Sequence, residues 1–142
     1  MKRNDFVQLV WDEMSDKASE NILIGMVKEF SEADILSAAK RAVRAANETY
    51  FPQYTHTLET MLSGDIELNM LGNGTVWKLM SSKVVEKARN STNANDGGMS
   101  FNINDNLTYY IKLRDDFRLE FLRRLNEIKY NSNVLNGFTG AE

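Results

Sequence analysis

His56 is the only histidine in this sequence and there is no cysteine. A metal site or a nucleophile–base pair would therefore have to be assembled from one imidazole and carboxylates. A zinc site draws on four ligands, mostly Cys and His at short spacings, and nothing near His56 has such spacing. The histidine lies between Thr55 and Thr57, without the base-beside-nucleophile signature of covalent catalysis. It reads as a surface or edge histidine.

Three other stretches invite chemistry and fail on inspection. Gly72-Asn73-Gly74-Thr75 opens a predicted helix, where backbone N–H groups could hold an anion. It lacks the G-x-x-x-x-G-K-[ST] frame of a phosphate loop, so a structural turn with Thr75 as helix cap is expected. In Asp96-Gly97-Gly98, taking Gly97 as the turn glycine of a calcium loop puts Thr92, Ala94, Asp96 and Ile103 at ligand positions. Ala and Ile cannot coordinate calcium. Asp115 and Asp116 are assigned to a helix N-terminus, where the macrodipole favours them, rather than to a glycosidase pair. The expectation is a protein that is not an enzyme and takes no cofactor and no metal.

The elements that would position side chains are mostly helices. Residues 5–15 form a predicted first helix capped by Asn4, with Phe6, Val7, Val10, Trp11 and Met14 on one broad face. Ser15–Ser19 is a polar break, and Asn21–Phe30 is a short apolar helix. Ser31 begins a helix with Glu32 and Asp34 in its first turn. It runs to about Tyr50 and is stopped by Pro52. Its stripe of Ile35, Ala39, Ala42, Val43, Ala46 and Tyr50 would let a neighbour approach closely, which marks it as the central packing helix. One more short helix is expected over 55–63. Gly64–Gly74 is expected as a loop with an extended piece at Ile66–Met70, followed by a helix from Thr75 to about Arg89. After the loop Asn90–Gly98, Met99, Phe101 and Ile103 alternate with polar residues as in a half-buried strand. Asp105-Asn106 would turn the chain, and Leu107–Leu113 would return as a second strand.

The strongest amphipathic pattern follows. Phe117, Phe121, Leu125 and Ile128 share one face of a helix predicted from Asp115 or Asp116 to Tyr130. Glu120 and Arg124 stand at i and i+4, a stabilising pair. Leu119 and Leu122 lie off that stripe, and read either as scattered exposed leucines or as a second contact surface. The tail, Asn131–Glu142, has no periodicity and is expected to be an extended arm. Its Val134, Leu135 and Phe138 would be buried on a partner to offset the cost of ordering. The fold expected is thus mainly α: a small helical bundle over residues 1–130, with a short β-hairpin or extended loop before the last helix and an extended C-terminal arm over 131–142.

Composition narrows the function classes. At 142 residues the chain can bury a real core as one domain. Seventeen basic against 20 acidic residues leave a net charge of −3, against the basic excess usual in a protein that grips nucleic-acid backbone. The charges are interspersed, with seven basic and nine acidic groups over 1–50 and six of each over 101–142. The trio Lys40, Arg41 and Arg44 reads as a solvated face. MKRNDFVQLVWDEM at the start carries Asp5 and no continuous apolar core, so it does not read as a signal peptide. No stretch reaches the ~18 apolar residues of a membrane span, and no membrane partner is expected.

The order of parts resembles the head–tail connector (neck adaptor) proteins of tailed bacteriophages. The residues carrying the resemblance are Gly98, Ser100, Phe101, Ile103 and Asp105, where family members often carry a serine–apolar–glycine–aspartate run. The helix Asp115–Tyr130 follows in matching placement. The family's glycine before the aspartate is Asn104 here, a residue that tolerates unusual backbone angles better than most. The resemblance implies a non-enzymatic subunit of a homo-oligomeric ring of about twelve copies, docked on the portal protein and contacting a tail or second neck protein. Duplex DNA would pass through it without specific binding, in a virion assembled in the host cytoplasm. It also implies that Leu119, Leu122, Phe101 and Ile103 meet a neighbouring subunit and that the arm residues Val134, Leu135 and Phe138 bind a partner. The rival reading is a small intracellular regulatory or nucleic-acid-binding module, with Lys40, Arg41 and Arg44, or Arg123 and Arg124, as contacts.

Overall fold

The computed structural model describes residues 2–16, 27–48, 55–93 and 104–139. They form five helices: α1 (Arg3–Glu13), α2 (Glu32–Glu48), α3 (Leu58–Ser63), α4 (Asp65–Asn93) and α5 (Asn104–Thr139). The fold is mainly α, and no strand occurs among the described residues.

The helix α4 packs against each of the other four. It therefore occupies the centre expected of α2, and the reason lies in its buried residues. Met70, Leu71, Thr75, Val76, Leu79 and Met80 are buried along it, facing α2 on one side and α5 on the other. Beyond Gly64, which stays extended between α3 and α4, the expected loop and its extended piece at Ile66–Met70 are instead the first turns of this helix. Two glycines in a helix interior cost about 1 kcal/mol each relative to alanine, and burial on several sides outweighs that. Thr75 is not a cap: its Oγ1 donates to the Leu71 carbonyl at 2.7 Å in mid-helix, the way a buried hydroxyl satisfies itself.

The alanine stripe behaves as expected. Ile35, Ala39, Ala42, Val43 and Ala46 are buried, joined by Ala38; Tyr50 lies outside the described residues. The start of α2 is a reciprocal cap. Asp34 Oδ2 accepts from the Ser31 amide at 3.1 Å, and the Asp34 amide donates to Ser31 Oγ at 3.2 Å. The short helix α3 is present as predicted, with Thr57 and Thr60 exchanging the bonds of a capping box. On α1, Lys2 rather than Asn4 precedes the first turn, without a side-chain cap; Phe6, Val7 and Val10 are buried.

The chain after α1 is tied down by Asp16. Ser15 adopts a left-handed φ of 53°, which reverses the chain and sends the buried Asp16 back toward residues 29 and 30. Its Oδ1 accepts from the Glu29 amide at 2.9 Å and its Oδ2 from the Phe30 amide at 3.1 Å. Residues 27–30, predicted as the end of a helix, are non-helical, and these carboxylate bonds take the place of helical ones. Trp11 Nε1 donates to the Phe30 carbonyl at 2.9 Å. Residues 17–26 lie outside the described set.

The helix α5 departs most from expectation. The returning strand Leu107–Leu113 is helical, the Asp105-Asn106 turn is part of the first helical turns, and residues 131–139 continue the helix. The hairpin and the extended arm are thus corrected to one long helix over Asn104–Thr139. Extending a formed helix needs no new nucleus, so turns with weak propensity can ride on the amphipathic segment between them. Met99, Phe101 and Ile103 lie outside the described residues. Phe121 and Leu125 are buried, with Phe117 and Ile128 half-buried beside them.

Candidate interaction surface

Pairing of α4 and α5 fixes which residues face outward. Gly74 on α4 stands against Phe121, and Trp77 packs on the same ring with centroids 5.4 Å apart. Arg118 lies over Trp77, one turn before Phe121, so the helices run antiparallel. Counting on from the Gly74–Phe121 contact, position 130 comes level with Asp65, where α4 begins. Residues 131–139 add about 13 Å of helix beyond it at 1.5 Å per residue, and α5 packs along no other helix to a comparable extent.

The outer face of α5 carries large apolar groups in the open. Tyr109 is 61% exposed, Leu119 67%, Tyr130 70% and Val134 38%. At roughly 100° per residue they fall within an arc of about 80°. Leu119 and Leu122, paired in the sequence reading, separate here: Leu119 is exposed, whereas Leu122 is half-buried against the core. Of the arm residues, Val134 is helical and exposed. Leu135 and Phe138 belong to helical turns, and their side chains lie outside the described set, as do Phe101 and Ile103.

Charges on this face neutralise one another. Glu120 accepts from Arg123 and from Arg124 Nε, the latter at 3.0 Å, and Arg123 also meets Glu127. The hydrogen bond from Arg123, together with the nearby Arg124, pulls the Glu120 carboxyl down to about 2. Arg123 and Arg124 are therefore engaged by carboxylates. The Glu120–Arg124 pair expected at i and i+4 is present. Asp115 and Asp116 lie in mid-helix rather than at an N-terminus. The Arg114 hydrogen bond holds Asp115 below the usual carboxylate range.

The remaining sequence candidates are placed structurally. His56 is half-buried, and its backbone exchanges two 2.9 Å bonds with the Asn47 amide group. Gly72 and Gly74 lie within α4. Among the described residues no group of three or more His, Cys, Asp or Glu could hold a metal ion, and no helix is long and apolar enough to cross a membrane. A cleft of about 310 Å³ lies between α4, α5 and the Asp16 turn, lined by Phe30, Val76, Met80, Tyr110, Leu113 and Phe117 among others. Glu29, part of its lining, is bridged at 3.0 Å by Lys83, which also meets Glu86 at 3.3 Å.

Sequence reasoning missed Asp16, Gly74 and the grouping of Trp77 with basic residues. Gly74 reads as the end of a loop in the sequence, and nothing in the local pattern marks it as a close helix crossing. No family model, no curated protein and no solved structure matches this chain.

Proposed function

We propose that the protein is a non-enzymatic structural subunit of a phage head–tail connector ring. In this reading it docks on the portal protein, continues the DNA channel toward a tail or second neck protein, and resides in the neck of the virion. The observation that carries it is the outer face of α5, where Leu119, Tyr130 and Val134 are exposed on a helix that outruns its packing partner. Exposed apolar groups aligned on one face suit a protein–protein contact. The resemblance of the Gly98–Asp105 segment and of the helix after it supplies the kind of assembly.

Native mass spectrometry of the protein alone and mixed with portal protein tests the reading. A closed ring or a portal-bound ring is expected, and Leu119→Asp is expected to leave a folded monomer that does not assemble. A wild-type chain that stays monomeric in both samples would reject it.

A further inference from the structure

Five cations among the described residues are matched to carboxylates. Arg3 pairs with Glu59, Lys83 with Glu29 and Glu86, Arg114 with Asp115, and Arg123 and Arg124 with Glu120. Where α2, α4 and α5 meet, the pattern breaks. Arg41 on α2 reaches across to α4, its two terminal nitrogens each 3.2 Å from Ser82 Oγ. Lys78, one turn before Ser82 on the same face of α4, holds its ammonium 3.7 Å from the Trp77 ring centroid. Arg118 on α5 stands over the same ring at 6.0 Å. None of the three has a carboxylate within ion-pair distance among the described residues.

Trp77 holds two of these cations without neutralising them, since a ring face attracts a cation through its quadrupole and carries no net charge. Ser82 does the same for Arg41. Glu48 lies near enough to favour the Lys78 charge, but burial and the like charges of Arg41 and Arg118 prevail and draw Lys78 below the ordinary lysine range. Asp115, the acidic neighbour of Arg118, is hydrogen-bonded to Arg114. Three cations from three helices thus converge without a direct ion-pair partner, the nearest acidic groups being Glu48 by Lys78, Asp115 by Arg118, and Glu29, Asp34 and Glu86 around the shallow pocket that Arg41 lines. Two are guanidinium groups, whose fork of N–H donors matches phosphate oxygens. With Phe121 packed on it and Lys78 over it, Trp77 is poorly placed to stack a base.

We propose that Arg41, Lys78 and Arg118 form a binding site for a phosphate group. Resting on the ring reading above, the phosphate is that of the DNA backbone, met without regard to base sequence. Three phosphate-directed cations give weak, strongly salt-dependent contact, which suits a surface that DNA slides past.

The test is fluorescence anisotropy of a labelled 20-base-pair duplex with the full chain, alongside calorimetric titration of tripolyphosphate. For three contacts the slope of log K against log salt is about −2.7, so affinity for duplex falls about 500-fold between 20 and 200 mM salt. The triple variant Arg41→Gln, Lys78→Gln, Arg118→Gln is expected to bind neither probe at 20 mM salt, while Lys112→Gln, on another face of α5, binds like wild type. Unchanged circular dichroism and urea midpoint show that the triple variant is folded. Wild-type binding to tripolyphosphate but not to duplex supports the phosphate site and overturns its DNA source. No binding of either probe by wild type, or binding that survives in the triple variant, overturns the site. Ring formation, read separately by native mass spectrometry, shows whether the assembly reading stands or falls with it.

Discussion

Gly74 and Phe121 are in contact at a point where no β-carbon fits. One built on Gly74 would lie 2.8 Å from Phe121 Cδ2 and 2.9 Å from the Ala42 methyl, so α2, α4 and α5 cross where a side chain would stand. In an open helix Gly→Ala gains about 1 kcal/mol; here overpacking costs about 1–3 kcal/mol and the buried Phe121 ring has little room to yield. Gly74→Ala is expected to lose about 1 kcal/mol in urea unfolding, and Gly74→Leu considerably more. In a Phe121→Ala background the loss should shrink, since only the Ala42 contact remains, a coupling that a double-mutant cycle measures directly. A stabilised Gly74→Ala in the wild-type background would contradict this crossing.

Asp16 gives a second expectation. Its carboxylate accepts two backbone amides in a buried setting, at 2.9 and 3.1 Å. Removing it strands both donors, at about 1–3 kcal/mol for each unsatisfied group. Asp16→Ala should therefore destabilise by about 2–6 kcal/mol, and Asp16→Asn by less because one carbonyl acceptor remains. Equal urea midpoints for wild type and Asp16→Ala would show that the turn does not depend on these bonds.

The fold was legible where local pattern and burial agree. The α2 stripe from Ile35 to Ala46, the short helix within 55–63 and the Phe117–Ile128 face could all be read from spacing. The misreadings share one cause: local propensity was outweighed by tertiary burial. Gly72-Asn73-Gly74 has the composition of a turn, yet its neighbours Leu71 and Thr75 are fully buried and the helix runs through. Met99–Leu113 alternates like a hairpin, but the part described, from Asn104, joins α5. Asp16 was invisible because its partners are backbone amides 13 and 14 residues away, which no side-chain pattern encodes. The Arg41–Lys78–Arg118 grouping needs three helices packed before it exists.

The network around Glu120 predicts a pH dependence. Its carboxyl is lowered from 4.5 to about 2 in the fold, first by the Arg123 hydrogen bond. A depressed acid stabilises the folded state above its unfolded value and loses that contribution as pH falls through the folded one. The difference in stability between wild type and Glu120→Gln should thus be constant from pH 7 to about 5 and shrink between about 4.5 and 2. Because these groups are exposed, added salt should reduce it at every pH. A difference that persists at pH 2, or that ignores salt, would assign the effect of Glu120 to something other than its charge.

The last turns of α5 carry the remaining prediction. Residues 131–139 extend the helix past the level of Asp65, with Asn131 and Val134 exposed and, among the described residues, no helix packed on α5 to an extent comparable to α4. A helical segment reaching past its packing partner adds little to a monomer, since isolated helices of this length are marginal in water. Ending the chain after Tyr130 should therefore change monomer stability by no more than about 0.5 kcal/mol, the range of ordinary surface changes. Under the ring reading the same truncation removes the part of α5 free to meet another molecule, so assembly and portal binding should fail. Substituting Val134→Asp in the full-length chain separates contact from length: it keeps every residue and places a charge on the protruding face. Loss of assembly in both variants, with unchanged thermal unfolding of the monomer, would assign the overhang to a partner. A truncation that lowers monomer stability by 2 kcal/mol or more while assembly persists would show that these turns belong to the chain's own fold.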